Sequence, residues 1–386
     1  MMYSDKEKLE QKLMIIAGEV SGDLIGASLI RELKKLDFGL KIFGIGGDKM
    51  AEEGMKILYH INKMAFLGLT EVVKHLPFIK KVQADLLAVA KSEEIKNVVL
   101  IDYPGFNLNI AKKFKKNRMK IIYYISPQLW AWASGRMKKI KRLVNKMLVV
   151  FPFEEKLYKS NKVDVEFVGH PLVDRINEYR FLSKEELFSR FDLDQSKELL
   201  LLMPGSRKHE VEKLFPPIIK AARKLADEFN LQIVIAASSN IDKNLFYQLN
   251  GQSDSKVITA YTYDLMNYAK FGIVKSGTST LEAGYFALPM VIVYKISSIT
   301  YLIVKKLIRV SKIGMVNILL EDNVVPELIQ NDVSEEKIFA AGKKILKDEK
   351  HYNSVKLKLN RVKDKLGSEG ASARAAKQIY AIMNET

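Results

Sequence analysis

Short runs of β-branched and apolar residues alternate with amphipathic or polar stretches along almost the whole chain. Strands separated by helices form parallel sheets, and the helices then cover both faces of each sheet. Ten such strands in one sheet would be unusual, so the pattern predicts two doubly wound α/β domains. The predicted strands are residues 13–17, 41–45, 98–102, 121–125, 147–151, 199–203, 231–237, 257–259, 271–275 and 290–294.

The boundary between the two domains is predicted near Gly169-His170-Pro171. This tripeptide follows a further short strand at residues 165–168 and precedes a polar helix at about residues 184–191. The predicted domains are therefore residues 1–172 and 173–370, followed by a C-terminal helix within residues 371–386.

Composition narrows the class of protein. The 386 residues include no cysteine, which excludes disulfides, Cys-ligated zinc and thiol catalysis and fits a reducing compartment. The first residues are polar, and no apolar run approaches the roughly 18 to 20 residues of a spanning helix, so we expect a cytoplasmic protein, soluble or peripherally bound. The net charge of +17 suits an anionic membrane or a phosphorylated substrate, unless it is only a solvated Lys/Glu surface. Nucleic acid is disfavoured because the basic clusters lack interleaved aromatic residues.

Residues 271–294 combine a strand, a turn of small polar residues, a helix and a second strand. The turn is Ser276-Gly277-Thr278-Ser279-Thr280, and the helix is predicted from Leu281. Backbone N–H groups and hydroxyls at the positive end of a helix suit a phosphate. Glu282 lies about one turn into the helix, where its carboxylate can accept hydrogen bonds from ribose hydroxyls. The alternative is that Ser and Thr merely cap the helix.

Carboxylates follow two of the predicted strands in the first half. Residues 17–23 (AGEVSGD) contain Glu19 and Asp23, and they match neither a GxGxxG motif nor a P-loop. Asp102 ends the strand at residues 98–102 and is followed by a Pro-Gly turn, a suitable place for a general base. The alternative is an aspartate that caps the next helix.

Two further loops carry candidate ligand contacts. Arg207, in Pro204-Gly205-Ser206-Arg207, follows a strand and precedes a helix, so its guanidinium can bridge two phosphates unless it pairs with Glu210. Both tryptophans of the chain lie in residues 125–132, where two indoles suit a sugar face or pack against the core.

Basic amphipathic helices are predicted at residues 136–147 and 299–312. Such helices either cover a domain or lie on an anionic membrane, and we favour the first role for 136–147 and the second for 299–312. The apolar stretch at residues 64–78 suits acyl chains or a membrane surface, with packed core as an equal alternative.

Seven motifs, in this order, resemble the lipid-A-disaccharide synthase family of sugar transferases. They are AGEVSGD (17–23), IDYPGFN (101–107), YISPQLWAW (124–132), FPFE (151–154), GHP (169–171), PGSRKHEV (204–211) and SGTSTLE (276–282). The sequence departs from the family at Gly105, where many members carry a second Asp, and at Val316, where a Pro is common.

The resemblance implies a GT-B fold, with two facing Rossmann-like domains and a final helix, residues 372–383, that packs back on the first. It also implies an inverting transfer of 2,3-diacylglucosamine from its UDP derivative to 2,3-diacylglucosamine 1-phosphate. The products are a β-1,6-linked disaccharide 1-phosphate and UDP. The protein would then act in lipid A biosynthesis, on the inner face of the inner membrane of a Gram-negative bacterium.

The resemblance also assigns roles to individual residues. Asp102 is expected to be the base that takes the proton of the acceptor 6-hydroxyl, with Glu19 as the alternative. The expected donor site comprises Arg207, Ser276, Gly277, Thr278, Ser279, Thr280, Glu282 and Asn317. The expected acceptor site comprises Gly18, Ser21, Gly22, Asp23, Gln128 and Trp130.

No metal or other cofactor is expected. Asp192 and Asp194 have the Asp-x-Asp spacing of metal-dependent sugar transferases, but they precede a strand and are interpreted as a solvated turn. Other functions remain open: a UDP-sugar enzyme of the same architecture, such as a 2-epimerase or a cell-wall glucosaminyl transferase, or a non-catalytic nucleotide-sugar or membrane-lipid binding protein. The sequence also leaves open whether the chain forms a homodimer.

Overall fold

The structure, a computed structural model, describes residues 10–64, 75–127, 135–250, 255–296 and 312–385. Contacts divide the chain into one unit of Met1–Asp174 with Leu366–Thr386 and a second unit of Arg175–Lys365. Each unit holds its own parallel sheet, so the prediction of two doubly wound α/β domains is confirmed.

The described residues of the first unit form a seven-stranded sheet in the order β3-β2-β1-β4-β5-β6-β7. The strands are β1 Lys12–Ala17, β2 Lys41–Gly46, β3 Lys56–His60, β4 Asn97–Ile101, β5 Lys120–Tyr124, β6 Lys146–Val149 and β7 Val165–Phe167. The helices up to this point are α1 Val20–Leu36, α2 Asp48–Glu52, α3 Leu76–Ser92, α4 Pro104–Lys116, α5 Gly135–Leu143 and α6 Pro152–Ser160.

The second unit contains a six-stranded sheet in the order β10-β9-β8-β11-β12-β13 within the same described ranges. Its strands are β8 Glu198–Met203, β9 Leu231–Ala236, β10 Lys256–Ile258, β11 Ala269–Lys275, β12 Met290–Tyr294 and β13 Glu327–Ile329. The helices from the boundary onwards are α7 Pro171–Glu178, α8 Lys184–Arg190, α9 Lys208–Phe229, α10 Lys243–Asn250, α11 Thr262–Tyr268, α12 Thr278–Tyr285, α13 Met315–Leu320, α14 Glu335–Leu346, α15 Glu349–Leu366 and α16 Ala371–Asn384.

The central strands of both sheets are apolar without alternation because helices cover both faces. All five residues of β4 are buried, and β8 is buried from its second residue to its end. The last helix, α16, packs against α1 within the first unit. The Asp174 carboxylate accepts the N–H groups of Gly370, Ala371 and Ser372 at 2.6, 3.2 and 3.0 Å, which caps the start of α16.

Three details differ from the sequence predictions. The pattern missed the edge strands β3 and β13, which are short and only partly buried. The basic helix predicted at residues 136–147 ends at Leu143 because Lys146 begins β6. Two other segments were predicted to contact a membrane, and most of each lies outside the described residues. The undescribed parts are residues 65–74 of the apolar stretch and residues 299–311 of the second basic helix. In the part of the chain that is described, no helix is long and apolar enough to cross a bilayer.

Strand order reverses direction at one point in each sheet. In the first unit this switch point lies between β1 and β4, and in the second it lies between β8 and β11. Ligands of doubly wound sheets bind beyond the carboxyl ends of the strands at such points. The loops after these four strands are therefore the candidate functional loops.

Candidate active site

The turn after β11 leads directly from a buried strand into α12. Gly277 precedes the helix with a φ of 155°, a backbone conformation that other residues rarely adopt. The helix begins at Thr278, three residues earlier than predicted. Since the first N–H groups of a helix have no partners within it and the dipole is positive there, this turn is suited to an anion.

The turn hydroxyls divide into two pairs. Ser276 is buried and its Oγ donates to the Ile313 carbonyl at 2.9 Å, while the buried Thr280 donates to the Gly277 carbonyl at 2.8 Å. Thr278 is exposed and Ser279 is partly exposed. Thr278 and Ser279 are thus the hydroxyls available to a ligand, and Ser276 and Thr280 stabilise the shape of the turn.

A cavity of about 340 Å³ opens in front of this turn, within the second unit. Its lining brings the predicted donor residues of α12 together with the loop after β8. The lining residues are Met203, Gly205, Ser206, Ala236, Ala237, Ser238, Thr262, Lys275, Gly277, Thr278, Ser279 and Glu282. The start of α12, which is suited to an anion, and the Glu282 carboxylate therefore line the same cavity.

A second cavity, of about 540 Å³, continues from the first along the ends of β9 and β10. Ala237, Ser238 and Thr262 line both cavities. The second cavity is otherwise bordered by Ser239, Ile241, Lys243, Thr259 and Ala260. The two together provide room for a ligand with a phosphate end and a larger polar end.

A lysine lines the first cavity next to the turn before α12. Lys275, the last residue of β11, forms a salt bridge with Glu210 at 3.0 Å. Burial alone would raise the pKa of Glu210, but the hydrogen bond and charge of Lys275 outweigh it and hold that pKa below its usual value. Glu210 therefore pairs with Lys275, and the alternative interpretation of Arg207, a pairing with Glu210, is not observed. Arg207 is exposed, precedes α9, and makes no salt bridge to any described residue.

Glu282 and Asn317 occupy different environments. Glu282 lines the cavity, and its Oε1 accepts from Arg175 Nη2 at 2.8 Å. Asn317 is fully buried; its Nδ2 donates to the Val325 carbonyl and to Glu327 Oε1, both at 2.8 Å. Asn317 thus supports the structure behind the turn instead of lining the cavity.

In the first unit, Glu19 and Asp102 follow the adjacent parallel strands β1 and β4, whose last residues Ala17 and Ile101 are register partners. Burial raises the pKa of Asp102 to about 6, with a further contribution from the negative charge of Glu19 and a smaller opposing one from the Tyr103 N–H. Glu19 itself is exposed. The two carboxylates therefore interact electrostatically, and both follow parallel strands of one sheet, as predicted.

The backbone of Asp102 is held in an unusual conformation. Asp102 and Tyr103 have φ angles of 42° and 46°, in the left-handed region that costs most residues about 1–2 kcal/mol each. The Asp102 carbonyl accepts from the Asn107 amide at 2.8 Å and from the Tyr123 hydroxyl at 2.6 Å. Backbone strain of this kind persists where surrounding contacts enforce it, and it concentrates at functional sites.

The other predicted acceptor residues have mixed roles. Asp23 is buried, and its carboxylate accepts the N–H groups of Gly47, Lys49 and Met50 at 2.7, 3.2 and 3.1 Å, so it caps α2. Ser21 is exposed beside Glu19, whereas Gly18 and Gly22 are buried. Gln128 and Trp130 lie outside the described residues.

Gly18 offers a test of this packing. A Cβ atom at Gly18 would lie 2.2 Å from Cδ1 of Tyr103, whereas a Cβ at Gly105 has no heavy atom within 4 Å. We expect Gly18→Ala to displace the Tyr103 ring and the adjoining Asp102, lowering the free energy of unfolding by about 1–3 kcal/mol and lowering turnover. Gly105→Ala is the control and should change neither. Chemical denaturation and turnover measurements on both variants check this, and equal stability of the two would contradict it.

Several residues at these sites were not predicted. Arg175 and Tyr263 contact Glu282, Lys275 borders the phosphate turn, and Tyr123 supports Asp102. The sequence could have indicated Lys275 as a site residue. It ends an apolar strand just before a Gly-containing turn, and a lysine is rarely buried in a core without a specific role. The other three contacts join residues distant in sequence, and no local pattern indicates them. Among the described residues, no group of three or more acidic or histidine side chains is arranged to hold a metal ion.

A sequence profile of the lipid-A-disaccharide synthetase family matches residues 13–382. A lipid-A-disaccharide synthase from Geobacter sulfurreducens is 41% identical over 373 residues, which cover 96% of this chain and 97% of that protein. The chain belongs to the lipid-A-disaccharide synthase family. A second such synthase, from Coxiella burnetii, is 37% identical over 371 residues, or 96% of this chain and 98% of that protein. The predicted family, and with it a glycosyltransferase that forms the lipid A disaccharide, are confirmed.

Two solved structures are similar to this chain in fold. A UDP-GlcNAc 2-epimerase from Neisseria meningitidis bound to UDP-GlcNAc matches with a TM-score of 0.68 at 13% identity, over 96% of this chain and 100% of that chain. The glycotransferase of kitacinnamycin matches with a TM-score of 0.67 at 13% identity, over 97% of this chain and 99% of that chain. At these identities the likeness shows the fold alone, and it confirms the predicted GT-B class.

Proposed function

We propose that this enzyme transfers 2,3-diacylglucosamine from its UDP derivative to the 6-hydroxyl of 2,3-diacylglucosamine 1-phosphate. The observation that carries the proposal is the chemistry at the two switch points: a cavity with a phosphate-binding turn in the second unit, and a carboxylate with a raised pKa in the first. The cavity and its turn would bind the diphosphate of the donor nucleotide, and the carboxylate would take the proton of the acceptor hydroxyl.

In the proposed donor site, the start of α12 binds the diphosphate with its N–H groups and the hydroxyls of Thr278 and Ser279. Arg207 adds a guanidinium, and the Glu282 carboxylate binds the ribose. The neighbouring 540 Å³ cavity has the room and the polar lining for the uracil base. Charge on the departing UDP is met by N–H groups and cations, so the proposal needs no metal ion.

In the proposed chemical step, the acceptor 6-oxygen attacks the anomeric carbon of the donor from the face opposite UDP. The bond to UDP breaks with its electron pair, the configuration inverts, and Asp102 takes the hydroxyl proton. With a pKa of about 6, Asp102 is ionised near neutral pH and is a stronger base than an ordinary carboxylate. Glu19 is the alternative base, and as a neighbour its charge raises the basicity of Asp102.

The acyl chains of both substrates place the reaction at a membrane surface. We propose that the enzyme binds peripherally to the cytoplasmic face of the inner membrane, and its net charge of +17 suits anionic lipid there. Mass and light scattering will decide whether it does so as a monomer or a homodimer.

A direct test mixes the purified protein with the UDP-diacyl sugar and the diacyl sugar 1-phosphate and follows the products by mass spectrometry. We expect the disaccharide 1-phosphate and UDP in equal amounts, and neither when one substrate is omitted. The folded Asp102→Asn variant is the control for contaminating activity. Conversion of the UDP-sugar without an acceptor would indicate an epimerase or hydrolase, and the absence of any product would indicate a binding protein.

A further inference from the structure

Glu282 is bound from behind by a closed triangle of hydrogen bonds. Arg175 Nη2 donates to Glu282 Oε1 at 2.8 Å and also donates to the Tyr263 hydroxyl. The Tyr263 hydroxyl in turn donates to the same Oε1 at 3.3 Å. One oxygen of the carboxylate therefore receives both contacts.

Further hydrogen bonds and ring packing within the second unit hold the residues of this triangle in place. Asp264, which follows Tyr263 on α11, is fully buried and accepts hydrogen bonds from the Tyr179 hydroxyl and from the Leu182 N–H. The Tyr179 and Tyr263 rings pack edge to face with centroids 5.2 Å apart. The segment that carries Arg175 is thereby attached to α11 at several points, which limits the positions its guanidinium can take.

The members of the triangle keep their hydrogen-bonding roles over the working pH range. Burial and the charge of Glu282 raise the pKa of Tyr263 to about 12, so its hydroxyl remains a donor. Arg175 is a permanent cation, and its side chain is 30% exposed against 17% for Glu282. Glu282 lines the cavity, and most of the surface of both side chains is buried.

From this arrangement we infer that Arg175 and Tyr263 are positioning residues for sugar recognition: they immobilise Glu282 through Oε1 so that Oε2 meets the ribose hydroxyls of a nucleotide. The inference rests on the proposed binding of a uridine nucleotide. In the described residues Oε2 makes no hydrogen bond, and Glu282 lines the cavity, so two lone pairs of this oxygen are available to vicinal hydroxyls. The preference for a ribonucleotide would then depend on residues that do not touch it.

The test compares the affinities of UDP and 2′-deoxy-UDP by calorimetry for the wild-type protein and for Arg175→Met, Arg175→Lys, Tyr263→Phe and Glu282→Gln. A hydrogen bond to a charged group contributes about 1.5–3 kcal/mol, so the wild-type protein should prefer UDP by about 10- to 150-fold. Arg175→Met should reduce this preference to about twofold while 2′-deoxy-UDP binds nearly as before. Arg175→Lys should restore part of the preference, because it keeps the charge but not the fork of donors.

The readout separates positioning from general support, since a damaged cavity would weaken both nucleotides alike. Arg190→Met is a matched control: Arg190 also donates to a tyrosine hydroxyl, that of Tyr261, but forms no salt bridge with a carboxylate of any residue that the structure describes. If Arg175→Met fails to fold, Tyr263→Phe decides the question in the same way.

The two possible failures are distinct. If the wild-type protein and Glu282→Gln bind the two nucleotides with the same ratio, the ribose role of Glu282 in the proposed function is wrong. If the wild-type preference is present, is lost in Glu282→Gln and persists in Arg175→Met and Tyr263→Phe, the ribose contact stands and the inference about Arg175 and Tyr263 is overturned.

Discussion

Asp102→Asn should reduce turnover by about three orders of magnitude or more and leave UDP binding unchanged. Asparagine has nearly the same shape but cannot take the proton of the acceptor hydroxyl, and general-base catalysis contributes about 10²–10⁴ in rate. Single-turnover kinetics and UDP titration of the same sample measure the two effects. Glu19→Gln is the comparison: a larger loss there than in Asp102→Asn would transfer the role of base to Glu19.

The same carboxyl group predicts a pH profile for the wild-type enzyme. The base must be ionised, so kcat/KM should be nearly constant above pH 7 and should fall as the pH decreases through about 6. Glu19→Gln removes the neighbouring negative charge and should move this midpoint to lower pH. A midpoint near 4 in the wild-type protein would show that Asp102 is not the titrating base.

Stability should change in the opposite direction to activity. The folded pKa of Asp102, about 6, lies above its ordinary value of 3.8, so ionising this carboxyl costs the folded state free energy. The cost is absent below about pH 4 and fully present above about pH 6–7. One pKa unit corresponds to about 1.4 kcal/mol, so allowing for the partial exposure of Asp102 we expect Asp102→Asn to stabilise the fold at pH 8 by about 1–2 kcal/mol. Urea denaturation at pH 4 and pH 8 checks the difference.

Arg207→Met should lower kcat/KM by about 10²–10³, because in the proposed donor site it removes a cation from the place where negative charge develops on the departing UDP. Its side chain is exposed and forms no salt bridge with any described residue, so the fold should be unaffected. Since the proposed contact is to the diphosphate, UDP binding should weaken more than UMP binding. Lys208→Met removes the next cation in the chain, which faces Glu212 at 4.0 Å, and serves as the control. Equal, small effects of both substitutions would remove Arg207 from the donor site.

The sequence predicted those features that depend on chain-local periodicity. The apolar runs around Ile101 and Val274 could only be buried strands, and in a parallel sheet the residues after them must reach one edge. That argument predicted that Asp102 and Glu19 follow parallel strands of one sheet, and that a turn suited to phosphate joins a buried strand to the next helix at residues 276–280.

The pattern of apolar residues could not predict which side chains of the turn are buried and which are exposed. Ser276, Thr278, Ser279 and Thr280 are equally small and polar, yet two point inward and two outward. For Ser276 the hydrogen bond to the Ile313 carbonyl decides the direction, and for the other three it is the rotation of α12 about its axis. Both depend on packing against segments far away in the chain. The contacts of Glu282 with Arg175 and Tyr263 join residues 107 and 19 positions apart, and for the same reason no local pattern could reveal them.

The hydrogen bonds that support the turn from behind affect how inactive variants should be interpreted. Ser276 is hydrogen-bonded to the Ile313 carbonyl, and Glu327 accepts from the Ile313 N–H at 2.7 Å and from the Asn317 amide at 2.8 Å. Damage at Asn317 would therefore pass through Glu327 and residue 313 to the phosphate turn without any lost contact to substrate. A loss of donor affinity in such a variant would report how firmly these hydrogen bonds hold the turn, and not a lost contact with the donor. The affinity should then decrease by the same factor for every nucleotide tested.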